Sequence, residues 1–183
     1  MSEPSSLYAK IHITKENLEK FMNSFPTQPP RYKDWQSWFN TKKMYGDGII
    51  DEKELQQMNF PSTAIVKKII EETQSDELPG FTPSEYDEEK GIWHLLIPFF
   101  RENYFEMIPI LSLLRGVQQF KEKNEEDFII VYSHFWDSGV DAYIKFALSE
   151  SLFVEEVNEI DLQLAMDYVT NKFKNNNFNV DDV

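Results

Sequence analysis

Two alternating stretches flank a single turn about three-quarters of the way along the chain. Asp127–Phe135 is rich in β-branched and aromatic residues. After Trp136-Asp137-Ser138-Gly139, Val140, Ala142, Ile144, Phe146 and Leu148 alternate with Asp141, Tyr143, Lys145 and Ala147. A period of two places successive side chains on opposite faces of a pleated strand, and a Ser-Gly turn joins such strands antiparallel. The pattern predicts a hairpin of Asp127–Phe135 with Val140–Leu148, and so a chain built around an antiparallel sheet.

The other segments fill in an α+β fold. Leu7–Ile13 alternates and is expected to join the same sheet. Thr14 is a good N-cap for a helix over Lys15–Ser24. Pro26, Pro29 and Pro30 then break the chain, and Trp35, Trp38 and Phe39 fall at helical spacing within Tyr32–Asn40. Glu52–Met58 and Ser62–Thr73 read as short helices, and Ile92–Phe100 as a buried strand. Tyr104, Ile108, Leu111, Leu114 and Val117 form a helical stripe within Glu102–Lys123. Pro109 lies inside that stripe, so the helix either kinks there or begins at Ile108. Asn158 can cap a last helix over Glu159–Lys174. The expected architecture is one α+β domain over residues 1–183, a mainly antiparallel sheet with helices packed on one face. It carries a helical insertion at 26–73 and an acidic loop at 74–91.

Charge changes sign along the chain. Residues 1–68 carry ten Lys/Arg and eight Asp/Glu; residues 69–183 carry eight and twenty-four. An acidic surface selects basic partners and repels nucleic acid. With no cysteine, disulfides, Cys-ligated zinc and a thiol nucleophile are excluded. The first residues lack a basic region followed by an apolar core, and no apolar run is long enough to span a bilayer. A soluble cytoplasmic protein without membrane or nucleic-acid contacts is therefore expected.

Catalytic and metal patterns are weak. Gly46–Leu55 resembles the second half of an EF-hand loop, with Gly48 at the sharp turn and Glu54 as bidentate ligand. Lys43 and Tyr45 then occupy positions that need oxygen ligands, and a lysine ammonium repels the cation. A turn followed by a helix with acids at its N-terminus explains the segment instead. His12, His94 and His134 fall on predicted strands without ligand spacing. Ser133 and His134, with Asp137 nearby, point to opposite faces of a regular strand and form no triad. No catalytic residue, metal or cofactor is expected.

Two groups suit contact with a basic protein. Glu85, Asp87, Glu88 and Glu89 are four acids within five residues. They fit a solvated loop, and Asp87, Glu88 and Glu89 also fit a docking patch. Trp136 stands at the hairpin end among Asp137, Asp141 and Tyr143. An aromatic ring with acidic neighbours suits an anchor for a basic partner, as it suits a cap on the core edge.

Trp93, Glu102-Asn103-Tyr104, Leu113-Leu114-Arg115 and Asp127-Phe128-Ile129-Ile130-Val131 mark a stretch, Trp93 to Phe146, that resembles small bacterial immunity proteins. These are the cytoplasmic antidotes of polymorphic-toxin and contact-dependent inhibition systems. The resemblance covers about a third of the chain and implies a non-enzymatic protein that binds and neutralises one cognate toxin. A basic nuclease would suit the charge. The competing readings are a small enzyme with a carboxylate site in the acidic loop, and a degenerate EF-hand-like binding module.

Overall fold

A computed structural model describes residues 5–42, 48–73, 84–101, 103–122, 124–133, 139–147 and 149–175. Among them the order is β1 (Ser6–His12), α1 (Lys15–Met22), α2 (Trp35–Asn40), α3 (Glu52–Gln57), α4 (Val66–Glu72), β2 (Ser84–Asp87), β3 (Ile92–Ile97), α5 (Tyr104–Arg115), β4 (Phe128–Tyr132), β5 (Val140–Phe146), β6 (Ser151–Phe153) and α6 (Glu159–Asn175). The fold is α+β, as expected.

All strand neighbours are antiparallel, in the order β2-β3-β1-β4-β5-β6. The predicted hairpin is present as β4 against β5, with Ile129 opposite Ile144. β1 joins the same sheet at its centre, between β3 and β4. A strand covered on both faces is apolar nearly throughout. That is the case here, since Leu7, Tyr8, Ala9 and Ile11 are fully buried. The sheet has two strands that alternation did not reveal. β2 lies within the expected acidic loop, and β6 is only three residues long. Each is too short to show a period of its own and is held by one neighbour.

The main core lies on one face. Leu7, Ala9 and Ile11 of β1 meet Leu18 and Phe21 of α1, Trp35 and Phe39 of α2, and Leu111 and Leu114 of α5. Leu55, Val66 and Ile70 belong to this cluster too, so the helices of 26–73 add to the same core. α6 departs from the one-face arrangement. Its Ala165, Val169 and Phe173, spaced by four, pack on the opposite face against Tyr8, Phe128, Ile130 and Tyr143. Alternating strands with apolar residues on both faces need cover on both.

Local chemistry sets several boundaries. Thr14 Oγ1 accepts from the Asn17 amide and starts α1. Asp51 and Glu54 form a reciprocal capping box at the start of α3. Glu54, the bidentate ligand in the EF-hand alignment, thus caps its own helix; Lys43–Asp47 lie outside the described residues. Asn103 Oδ1 caps α5 at the Phe105 amide, and Pro109 sits inside that helix. α5 continues into a 3-10 turn at Gly116, where a Cβ would lie 2.3 Å from Thr27 Oγ1 and 3.0 Å from Thr27 Cβ. No helix among the described residues is long and apolar enough to cross a membrane.

Candidate functional site: a partner-docking edge

β4 and β5 fall out of simple register near one end. Val131 stands opposite Ala142, but Tyr132 stands opposite Val140, so Asp141 is an extra residue in β5. A bulge of this kind re-aims the side chain it carries. In a regular strand Asp141 and Tyr143 would share a face. Here the Asp141 carboxylate turns towards the main core. Oδ1 accepts from the Tyr104 hydroxyl at 2.8 Å and Oδ2 from the Ser5 hydroxyl. Its backbone carbonyl accepts from the Trp38 indole at 2.9 Å and from the Lys42 ammonium. Tyr143 keeps to the α6 face, where its hydroxyl donates to Asp161 Oδ2 at 2.6 Å. Burial, reinforced by that carboxylate, pushes the Tyr143 phenol well above its usual range.

Beside the bulge a cleft of about 320 Å³ opens between α2 and the β5–β6 edge. Asp34, Trp38, Lys42, Asp141, Phe153 and Glu155 contribute to its walls. The Trp38 and Phe153 rings are stacked, 5.0 Å apart and 11° from parallel. Lys42 lies 5.4 Å from the ring centres of both Trp38 and Tyr104. Desolvation lowers its pKa, and the nearby Asp141 partly opposes that shift.

A buried guanidinium holds the back of the cleft. Arg115, 1% exposed, reaches Asp34 Oδ1 and Oδ2 at 2.8 Å each and Ser151 Oγ at 2.8 Å. It also donates to the Ser151 carbonyl and lies 3.8 Å from the Tyr32 ring centre. A side chain that always carries its charge needs such complete pairing when buried. The contact ties α5, the start of α2 and β6 together.

The surface around the cleft is acidic. Residues 146–171 hold six acids and no Lys or Arg. Glu150, Glu155, Glu156 and Glu159 are exposed along β6 and the start of α6. Ile160, at 74% exposure, stands among them with the partly exposed Leu152 and Val154. Apolar side chains ringed by one sign of charge are the composition of a docking surface. Sequence reading missed these four acids. The signal that marks them is the unbroken absence of basic residues, more than local acid density.

The earlier candidates do not converge. Asp141 and Tyr143 both line the cleft. Trp136 and Asp137 lie outside the described residues, as does His134. Asp87, Glu88 and Glu89 belong to the β2–β3 end, four strands from β5 and so about 19 Å across the sheet. There Asp87 Oδ1 accepts from the amides of Glu89 and Lys90, and Glu88 pairs with Lys15. These contacts hold both carboxyls below their usual range. Glu85 is bound by Tyr168 at 2.8 Å and by Lys172.

The two described histidines have structural partners. His94 Nδ1 lies 2.8 Å from the Tyr8 hydroxyl, and its ring stacks on Tyr168 at 4.8 Å. Burial lowers its pKa to about 4. His12 Nδ1 meets the buried Asp127 Oδ1 at 2.7 Å, and Lys121 Nζ lies 2.7 Å from Asp127 Oδ2. No group of three or more His, Asp or Glu among the described residues is placed to hold a metal ion. No protein-family model, curated protein or solved structure matches this chain.

Proposed function

We propose that this protein is a non-enzymatic inhibitor that binds and neutralises one cognate basic protein, in the manner of a bacterial cytoplasmic immunity protein facing a nuclease toxin. The supporting observation is the acidic edge. Glu150, Glu155, Glu156 and Glu159 are exposed beside Leu152, Val154 and Ile160, on a segment, 146–171, without Lys or Arg. A nuclease is basic because it grips phosphates. An acidic face steers such a partner into encounter and can cover its phosphate-binding groove, while the apolar side chains supply contact area. At the β2–β3 turn Asp87 and Glu88 already pair with Lys90 and Lys15, whereas the β6–α6 edge adds exposed apolar side chains to its acids, so the docking role falls to that edge.

The test begins with the protein encoded beside this one. It should arrest growth when expressed alone, and co-expression of this chain should relieve the arrest. With the purified pair, raising salt from about 50 to about 300 mM should slow association far more than dissociation. Combined Glu155→Lys, Glu156→Lys and Glu159→Lys should slow association by roughly tenfold or more. An acidic partner, or binding indifferent to salt and to these reversals, overturns the reading.

A further inference from the structure

We infer that the cleft between α2 and the β5–β6 edge seats an arginine side chain of the basic partner. The inference rests on the reading above and names its anchor point. The volume, about 320 Å³, is near the lower end of small-molecule pockets and suits one long side chain.

The walls already hold a cation. Lys42 sits over Trp38 and Tyr104 and donates to the Asp141 carbonyl, using ring faces and a backbone oxygen as its solvation shell. Three carboxylates, Asp34, Asp141 and Glu155, line the same space. Arg115 occupies Asp34, and two hydroxyls occupy Asp141. Glu155 is exposed at the mouth, on a chain segment without basic residues. An incoming cation therefore finds an anion at the entrance and apolar walls within, where Trp38 and Phe153 stack on each other beneath Lys42 and over Arg115.

The guest is arginine for two reasons. Its guanidinium is planar and weakly hydrated, so it leaves water more readily than an ammonium, and its fork of donors matches the Glu155 carboxylate two-fold. It also keeps its charge in a half-buried site. A second copy of this chain is disfavoured as occupant, because each copy carries a net charge of −14. Lys42 opposes the guest by like charge, which gives the cleft a distinctive response: removing Lys42 should strengthen binding.

The experiment uses the full chain, isotope-labelled, titrated with capped hexa-arginine, hexa-lysine and hexa-citrulline peptides at low salt. Hexa-arginine should shift the amides of Ala142, Val154 and Val157. Hexa-lysine should shift them less, and neutral hexa-citrulline not at all. Glu155→Gln should weaken hexa-arginine binding by about tenfold, and Lys42→Met should strengthen it by roughly threefold. Ser37→Trp, at an exposed position of the cleft mouth, should block it. Unchanged thermal unfolding of the variants separates these effects from misfolding. Arginine shifts confined to the surface around Glu150, Glu156 and Glu159, or binding insensitive to all three variants, overturn the pocket and leave the acidic docking face standing. No binding of either cationic peptide at low salt overturns both.

Discussion

The indole nitrogen of Trp38 donates to the main-chain carbonyl of Asp141 at 2.9 Å, across 103 residues of sequence. The bond joins α2 to the one irregular step in the β4–β5 ladder. A bulge leaves backbone groups without ladder partners, and side chains that bind them hold it in place. Trp38 serves one side of Asp141 while Tyr104 and Ser5 serve the other. Asp141→Ala leaves the Tyr104 hydroxyl without this acceptor and should cost about 1–3 kcal/mol. Urea unfolding should show a lower midpoint with an unchanged slope.

Arg115 gives a larger effect. Its guanidinium is 1% exposed and satisfies Asp34 and Ser151 together. Arg115→Ala leaves the Asp34 carboxylate without its cation and should cost about 3–5 kcal/mol. Arg115→Lys restores charge without the fork and should recover only part of that loss in the same measurement.

Gly116 is held by proximity. A Cβ there would lie 3.0 Å from Thr27 Cβ, which no rotation of the Thr27 hydroxyl relieves. Gly116→Ala should destabilise by about 1–3 kcal/mol through this overlap. Pairing it with Thr27→Gly should recover most of the loss, and a double-mutant cycle checks that coupling.

His94 makes stability depend on pH. Burial lowers its pKa from 6.5 to about 4. Tyr8, Lys10, Glu85, Asp87, Lys90 and Tyr168 surround the cleft it lines. The unfolded chain binds a proton more readily, so the contribution of neutral His94 is fully present above pH 6.5. It is lost as pH falls from 6.5 towards about 4. Urea midpoints measured across that window should fall for the natural chain and flatten for His94→Gln. A midpoint that rises on acidification contradicts a buried neutral imidazole.

The candidate site was legible only in part. Asp141 and Tyr143 stand out because β5 alternates, yet alternation places them on one face and the bulge separates them. Glu88, Asp87 and Glu85 look free in sequence and are bound by Lys15, Lys90 and Lys172 in the fold. Glu155 and its neighbours escaped notice because an absence of basic residues is a weaker signal than a run of acids.

Sequence by itself determined what short-range physics controls. The alternation in β1 and β5, the β-branched and aromatic run of β4, the Thr14 and Asn158 caps, and the four-residue spacing of Ala165, Val169 and Phe173 specify elements from neighbouring residues alone. Tertiary structure decided the rest. β2 and β6 exist because β3 and β5 offer them partners, and α6 crosses to the second face because Tyr8, Phe128 and Tyr143 need cover there. The Arg115–Asp34 pair and the Trp38–Asp141 bond link residues 81 and 103 apart. No local pattern encodes such contacts, because their free energy comes from burial and hydrogen bonding that only the assembled chain provides.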